Sequence, residues 1–280
     1  MTPTTIATED YEFIRKLVYD QSRINLGSDK MELVRSRVQK RLRALGLSDF
    51  ESYCRLLASP DGQEEFTSLL DVISTNVTEF FREWGHFEYL RDTVLPAWQS
   101  QSKRNPREPF RVWSAACSSG QEPYSIAILL ADFFRAQPAQ EWRVVATDIS
   151  TRMLAAAEEA VYRGERIKTP NPEWLRAYFQ KGVGSWEGSF RIKPAIRERV
   201  SFRHLNLFNW PYPFTEKFDV IFCRNVMIYF DRPTQELLIP RLAEQLIPGG
   251  HLMVGHSESL VGIQHRLKSV RPSVYQNLRA

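Results

Sequence analysis

Apolar and polar residues alternate with helical periodicity through the first hundred positions of the chain. Between 31 and 45 the apolar positions are Met31, Val34, Val38, Leu42 and Leu45, which is the spacing of one buried helix face. Similar patterns predict helices over 11–19, 50–57, 64–73 and 85–98, with a Ser48-x-x-Glu51 capping box opening the helix over 50–57. No strand pattern interrupts them, so residues 1–98 are predicted to form an all-helical domain.

The pattern changes after residues 99–109 (QSQSKRNPREP), whose polar composition and prolines are typical of a linker. Beyond it, the short apolar runs FRVWSA, WRVVAT, FDVIFC and HLMVG alternate with helical stretches over 122–134, 151–160 and 233–246. Strand, loop and helix repeated in this order predict a doubly wound, largely parallel α/β sheet over 110–280. Such sheets bind ligands at the carboxyl ends of their strands.

One segment, residues 162–199, is longer than a single crossover between parallel strands requires. It contains three closely spaced glycines, Gly182, Gly184 and Gly188, which are typical of a turn. The segment is therefore predicted to be an inserted β subdomain with a short antiparallel hairpin, whose turn is 182–188.

The composition is that of a soluble globular protein, with 43% hydrophobic and 25% charged residues among 280 and a net charge of +4. The longest apolar run is too short to cross a bilayer and the first residues lack the features of a signal peptide, so we expect a cytoplasmic protein. The three cysteines have no CxxC spacing, and His251, His256 and His265 fit no recognised ligand spacing. We therefore expect neither disulfides nor a metal site.

Positive charge is concentrated on the predicted helix over 31–45. Lys30, Arg35, Arg37, Lys40, Arg41 and Arg43 are opposed there only by Glu32. This pattern is compatible with an ordinary solvated helix face, and also with a surface that binds an acidic partner.

The loop after the first predicted strand, 116–123 (ACSSGQEP), matches neither a GxGxxG fingerprint nor a GKS/T phosphate loop. Asp148 ends the second strand, where an acid can accept hydrogen bonds from ribose hydroxyls, although it could equally cap the next helix. A nucleoside site without a diphosphate cradle favours S-adenosylmethionine. The turn LIPGGHL (246–252) resembles the equivalent turn of methyltransferases that use this cofactor.

Five motifs narrow the resemblance to one family. They are STNVTEFFRE (74–83), SAACSSGQEPYS (114–125), ATDIS (146–150), FCRNVMIYF (222–230) and GHSES (255–259). In this order and spacing the chain resembles the CheR family of chemotaxis receptor methyltransferases. The resemblance implies a helical amino-terminal domain, a methyltransferase domain with an inserted β subdomain, and methyl esterification of glutamates on cytoplasmic helices of chemoreceptors with S-adenosylmethionine as methyl donor.

The resemblance also implies roles for individual residues. The family's cofactor contacts fall on Asn76, Thr78, Arg82, Glu122, Asp148, Asn206, Leu207, Arg224 and Asn225, and its active-site pair on Arg82 and Tyr229. The basic helix, through Arg35, Arg37, Lys40, Arg41 and Arg43, is then expected to bind the acidic receptor helix. The inserted hairpin is a candidate site for a receptor's carboxyl-terminal pentapeptide, with the enzyme recruited to membrane receptor arrays.

Two other functions are compatible with parts of the sequence. A nucleic-acid methyltransferase would explain the basic helix, but Arg224-Asn225-Val226 stands where amino-methylating enzymes typically carry an Asp/Asn-Pro-Pro-aromatic motif. A non-catalytic receptor-binding sensor of the cofactor would retain the cleft without turnover. The presence of Arg82, Asp148 and Tyr229 argues against that function.

Overall fold

The computed structural model describes residues 5–74, 76–100 and 108–278. Residues 101–107 of the predicted linker lie outside these ranges. Among the helices so described, none is both long and apolar enough to cross a membrane.

The amino-terminal helices are α1 (Thr8–Ser22), α2 (Met31–Leu45), α3 (Phe50–Ala58) and α4 (Gly62–Ile73). Their apolar faces form one core, in which Ile14, Val38 and Leu69 are fully buried. The predicted capping box at α3 is wrong, because the helix is capped by Asp49, whose carboxylate accepts the backbone N–H of Ser52 at 2.8 Å. A carboxylate at this position also interacts favourably with the helix dipole.

The segment after residue 84 is helical, as predicted, but it belongs to a different core. It comprises α5 (Gly85–Tyr89), a π-helical turn (Leu90–Val94) and α6 (Leu95–Gln99). Phe87, Leu90 and Trp98 pack with Phe110 of the first strand rather than with α1–α4, and the Trp98 indole donates to Asp219 Oδ1 at 2.8 Å. The core formed by α1–α4 ends at Ile73, so the last part of the predicted 1–98 domain packs with the sheet domain.

The predicted α/β fold is confirmed by a seven-stranded sheet in the order β6-β2-β1-β7-β8-β10-β9. Its strands are β1 (Phe110–Ala115), β2 (Trp142–Asp148), β6 (Val200–His204), β7 (Phe218–Cys223), β8 (Leu246–Val254), β9 (Leu267–Arg271) and β10 (Val274–Asn277). The first five run parallel, and β10 pairs antiparallel with both β8 and β9. The main helices covering the sheet are α7 (Gln121–Phe133), α8 (Thr151–Glu159) and α11 (Arg232–Glu244). The strand order reverses at β1, which is where such folds form their ligand crevice.

The inserted segment forms a second, three-stranded antiparallel sheet in the order β3-β5-β4. It contains β3 (Val161–Arg163), α9 (Pro172–Tyr178), β4 (Phe179–Lys181) and β5 (Ser189–Ile192), and α10 (Pro194–Arg197) follows. The predicted hairpin is confirmed between β4 and β5, closed through Gly182 N–H to Ser189 C=O at 2.8 Å. The strand β3 was missed, because three residues carry too short a pattern to predict a strand.

The amino-terminal helices are bonded to the sheet domain beside the ligand crevice. The backbone N–H of Asn25 donates to the Tyr229 carbonyl at 2.8 Å, and the Tyr19 hydroxyl donates to Asp231 Oδ2 at 2.7 Å. Asp231 is also the N-cap of α11. Both bonds therefore fix the segment that carries Tyr229.

Candidate active site and cofactor cleft

A cleft opens at the carboxyl ends of β1, β2 and β7, beneath the amino-terminal helices. All ten residues assigned to the cofactor and the chemistry line it, namely Asn76, Thr78, Arg82, Glu122, Asp148, Asn206, Leu207, Arg224, Asn225 and Tyr229. They come from five separate stretches of the chain, 76–82, 122, 148, 206–207 and 224–229. The fold therefore brings together what the sequence motifs could only suggest.

Asp148 anchors the loop after β1. Asp148 is 6% exposed. Its two carboxylate oxygens accept the backbone N–H groups of Ser118 at 2.7 Å and Ser150 at 2.8 Å. Ser150, not Asp148, is the N-cap of α8. Because Ala116 and Ser118 have left-handed backbone conformations, the loop is strained and depends on this carboxylate. Burial raises the pKa of Asp148, against the effect of the two N–H donors.

Gly120 is the residue at which this loop meets the inserted subdomain. A Cβ there would lie 2.8 Å from both Ala157 Cβ and the Tyr162 hydroxyl oxygen, and its φ is +93°. We expect Gly120→Ala to lower the free energy of unfolding by about 2 to 4 kcal/mol, from left-handed strain plus overpacking. Gly46→Ala is the matched control, since φ is +69° and the added Cβ meets nothing within 4 Å; equal losses in urea denaturation would contradict the steric argument.

Arg224 is the buried cation at the centre of the cleft. Its guanidinium binds Glu122 Oε2 at 3.1 Å and Glu83 Oε2 at 2.9 Å, and it donates to the backbone carbonyl of Arg82. Burial alone would raise the pKa of Glu83, but the hydrogen bonds and charge of Arg224 outweigh it and lower that pKa to about 2. For Glu122, deeper burial prevails and raises the pKa.

Arg82 lies in a strained turn that Arg224 holds in place. Phe81 and Glu83, on either side of it, both have φ of 55°, a conformation that non-glycine residues rarely adopt. The Phe81 N–H donates to Ser125 Oγ at 2.9 Å, and Arg82 Nη1 donates to the Val77 carbonyl at 3.1 Å. Glu83 is thus a site residue that sequence reasoning missed; the signal for it is that a buried Arg224 requires a nearby carboxylate.

Sequence reasoning also missed Glu258, whose carboxylate fixes the turn over 225–227 that follows β7. Its carboxylate accepts the backbone N–H groups of Asn225 at 2.8 Å, Met227 at 2.7 Å and Gly255 at 2.6 Å. Asn225 is held there at a φ of 57°. The Asn206 side chain also forms structural hydrogen bonds. Its amide NH₂ donates to the Gln21 carbonyl at 2.7 Å, and its amide oxygen accepts the Phe208 N–H at 2.9 Å.

The basic helix α2 lines the cleft at Leu33. Its five assigned basic residues are not among the lining residues, and two of them form bonds within the amino-terminal domain. Arg37 Nη1 donates to the carbonyls of Val72 at 3.0 Å and Ser74 at 3.1 Å, and Arg41 forms a bidentate pair with the buried Glu65. These bonds tie α2 to α4. Arg37 and Arg41 therefore have a structural role, and their part in receptor binding stays a prediction. Lys40 and Arg43 are exposed and Arg35 is half-buried.

The polar groups of the cleft fit S-adenosylmethionine. Asp148 is a buried acid at the end of the second strand, the loop over 116–118 allows close backbone approach, and Ile73, Phe87 and Ile149 provide apolar wall. Arg224 Nε is buried without a hydrogen-bond partner among the described residues, so one donor remains for a ligand. Asp148 would hold the ribose hydroxyls, and Arg224 and Glu122 the charged amino-acid end. The cofactor supplies a methyl group activated by positively charged sulfur.

Comparison with known proteins agrees with this geometry. The family model described as CheR methyltransferase, SAM binding domain matches residues 76–275, and that of the CheR methyltransferase all-alpha domain matches residues 9–74. The chain is 40% identical to a chemotaxis protein methyltransferase of Escherichia coli over 96% of this chain and 92% of that protein. It is 39% identical to chemotaxis protein methyltransferase 2 of Pseudomonas aeruginosa, over 95% and 92% of the two chains. The chain belongs to the CheR family of S-adenosylmethionine-dependent methyltransferases.

Proposed function

We propose that this enzyme methylates glutamate side chains on the cytoplasmic helices of chemoreceptors, for sensory adaptation. The observation that carries the proposal is a single cleft with a buried acid for a nucleoside, Asp148, and two assigned acceptor-side groups, Arg82 and Tyr229. The relatives named for chemotaxis support the same substrate class. Neither a nucleic-acid substrate nor a purely sensory role is favoured by these relatives.

The chain's own residues have to orient the acceptor rather than deprotonate it. A glutamate has an ordinary pKa of about 4.3 and is ionised at neutral pH, so no strong base is needed. The Arg82 guanidinium can donate two parallel hydrogen bonds to a carboxylate, and the Tyr229 hydroxyl can position it further. Placing an acceptor oxygen at a near-attack distance is where most of the rate gain arises. The apolar wall excludes water, which favours a reaction in which opposite charges are neutralised.

The reaction is tested with tritiated S-adenosylmethionine and a receptor cytoplasmic fragment, followed by mild alkali. A carboxyl methyl ester releases volatile labelled methanol, whereas a methylated amine or nucleobase retains the label. We expect alkali-labile label with the wild type and its loss in Arg82→Ala, which should still bind S-adenosylhomocysteine measurably. Label that survives alkali would contradict glutamate esterification.

Receptor recognition by α2 is proposed for the cations that the fold leaves accessible. Lys40 and Arg43 are exposed, and Arg35 pairs with the exposed Glu32 at 2.8 Å. An acidic receptor helix would be attracted to this face with an affinity that falls as salt is added. Arg37 and Arg41 contribute indirectly, by attaching α2 to α4.

The double variant Lys40→Glu/Arg43→Glu is expected to raise the KM for receptor about tenfold at low salt, because attraction becomes repulsion. Binding of S-adenosylhomocysteine should be unchanged. Lys217→Glu/Arg135→Glu is the matched control, since both residues are exposed at the other end of the sheet, near the start of β7 and the end of α7. Equal effects of the two variants on receptor kinetics would remove α2 from the proposal.

Recruitment to receptor arrays is proposed to involve the inserted sheet. β4 is an edge strand, and Val183 and Trp186 in the adjoining turn are 80% and 60% exposed. An extended receptor tail could add as a further strand beside β4. Calorimetry with carboxyl-terminal receptor pentapeptides tests this, with binding expected for the wild type and lost in Trp186→Ala; absence of binding to the wild type would exclude tail recruitment.

A further inference from the structure

Two histidines and a glutamate lie close together beside Arg224. Glu83 belongs to the strained turn, His86 lies in α5 with 2% of its surface exposed, and His256 is exposed in the loop after β8. One ligand atom from each residue lies within 4.8 Å of the others. The sequence predicted no metal site, since histidine spacing alone gives no hint that residues 86 and 256 meet.

One ring nitrogen of His86 has no hydrogen-bond partner among the described residues. His86 Nε2 lies 2.6 Å from Ser273 Oγ, whose hydroxyl donates to the Pro272 carbonyl at 2.7 Å. The Ser273 oxygen therefore accepts from Nε2–H, and Nδ1 carries a lone pair. Nδ1 is buried without a hydrogen-bond partner among the described residues and faces Glu83 Oε2 at 3.6 Å. A lone pair opposite a carboxylate in a buried site is unfavourable unless a cation lies between them.

We propose that Glu83, His86 and His256 form a binding site for a divalent transition-metal ion, best matched by Zn²⁺. Two imidazole nitrogens and one carboxylate oxygen are a common zinc ligand set that leaves a fourth position open. Ser273 holds the His86 ring through its other nitrogen, as partners of metal-binding histidines usually do. His256 is exposed, so the ion has access from solvent.

The site acts on the cofactor cleft through Glu83. Its Oε2 accepts from Arg224 Nη2 at 2.9 Å, while Oε1 accepts from Asn225 Nδ2 at 3.1 Å. A metal ion bound to this carboxylate competes with Arg224, which keeps only Glu122 as a charged partner. Zinc is therefore an inhibitory ligand that weakens cofactor binding, and the cofactor weakens zinc binding by the same factor. It takes no part in methyl transfer, and the site does not depend on which acceptor the enzyme methylates.

Calorimetric titration of the full chain with Zn²⁺ tests the site. We expect one zinc ion to bind the wild type, and His256→Ala to bind it at least about tenfold more weakly. His256 is exposed, so the variant should fold normally. His265→Gln is the matched control because this histidine packs against Tyr275, outside the cluster. Absence of zinc binding, or equal binding by wild type and His256→Ala, overturns the site.

Coupling is measured separately, as the affinity for S-adenosylhomocysteine with and without zinc. We expect zinc to weaken this affinity in the wild type and in His265→Gln, but not in His256→Ala. The absorption of bound Co²⁺ reports imidazole ligands independently of any activity. Equal weakening in all three proteins, or none in the wild type, overturns the inhibitory role.

Discussion

Arg224→Met is expected to lower the free energy of unfolding by about 3 to 5 kcal/mol. The side chain of Arg224 is 1% exposed, and those of its partners Glu83 and Glu122 are 14% and 13% exposed. Removing the cation leaves two carboxylates in a poorly solvated site, and it also releases the carbonyl of the strained turn at Arg82. Urea denaturation measures the loss.

Arg111→Met provides the comparison, because Arg111 also pairs with a glutamate, but Glu216 is 61% exposed. A pair of this kind contributes at most about 1 kcal/mol. Adding Glu83→Gln to Arg224→Met should recover part of the lost stability, since one uncompensated charge is removed. If Arg224→Met proves as mild as Arg111→Met, the buried centre does not hold the cleft together.

The second large effect is expected on ligand affinity, from Asp148→Ala. The variant loses two hydrogen bonds, one from Ser118 in the loop after β1 and one from Ser150 at the start of α8. Each contributes about 1.5 to 3 kcal/mol when the carboxylate is charged. Since the loop geometry and the proposed ribose contact both depend on Asp148, the Kd for S-adenosylhomocysteine should rise about 100-fold or more. Calorimetry with this product avoids turnover.

Asp148→Asn should fall between the wild type and Asp148→Ala, because the amide keeps one accepting oxygen while its NH₂ group faces a backbone N–H. Asp92→Ala removes an exposed carboxylate that pairs with its neighbour Arg91 at 2.6 Å, and it should leave the Kd unchanged. A normal Kd for Asp148→Ala would show that the loop keeps its conformation without the carboxylate.

The sequence predicted the helices and strands better than it predicted which of them pack against one another. Apolar runs and helical periodicity located four of the five parallel strands and most of the helices, because these patterns record which faces are buried. The strand β6 was missed. These patterns do not record which other element covers each buried face. The segment 85–99 has a good apolar face, and only the structure shows that Phe87 and Trp98 use it against the sheet domain.

The same limit applies to charges on α2. Val34, Val38 and Leu42 form the buried stripe, and Arg37 and Arg41 each precede a stripe residue, so they lie at its border. Long side chains at such borders bury their stems and direct their charge toward the neighbouring element. Here α4 offers Glu65 and carbonyl groups. Periodicity places these arginines on the helix, but the acceptors come from another part of the chain.

Within the candidate site, family motifs located residues that line the cleft but not the groups that hold them. Glu83 and Glu258 stand in the motifs STNVTEFFRE and GHSES, but nothing in either motif pairs them with Arg224 or Asn225, which lie elsewhere in the sequence. Their importance follows from burial and from backbone donors that only the folded chain brings within reach. Their roles therefore had to be read from hydrogen bonds.

The bonds from Asn25 and Tyr19 to the segment around Tyr229 limit how this enzyme can be engineered. A chimera that exchanges the helical portion for that of another protein would also discard two anchors of the loop that carries Tyr229. Grafting should therefore preserve α1 from Tyr19 onward together with the stretch that joins it to α2, and replace only the exposed surface of α2. Under the proposed role of α2, this design changes receptor specificity while both anchors of the loop around Tyr229 stay in place.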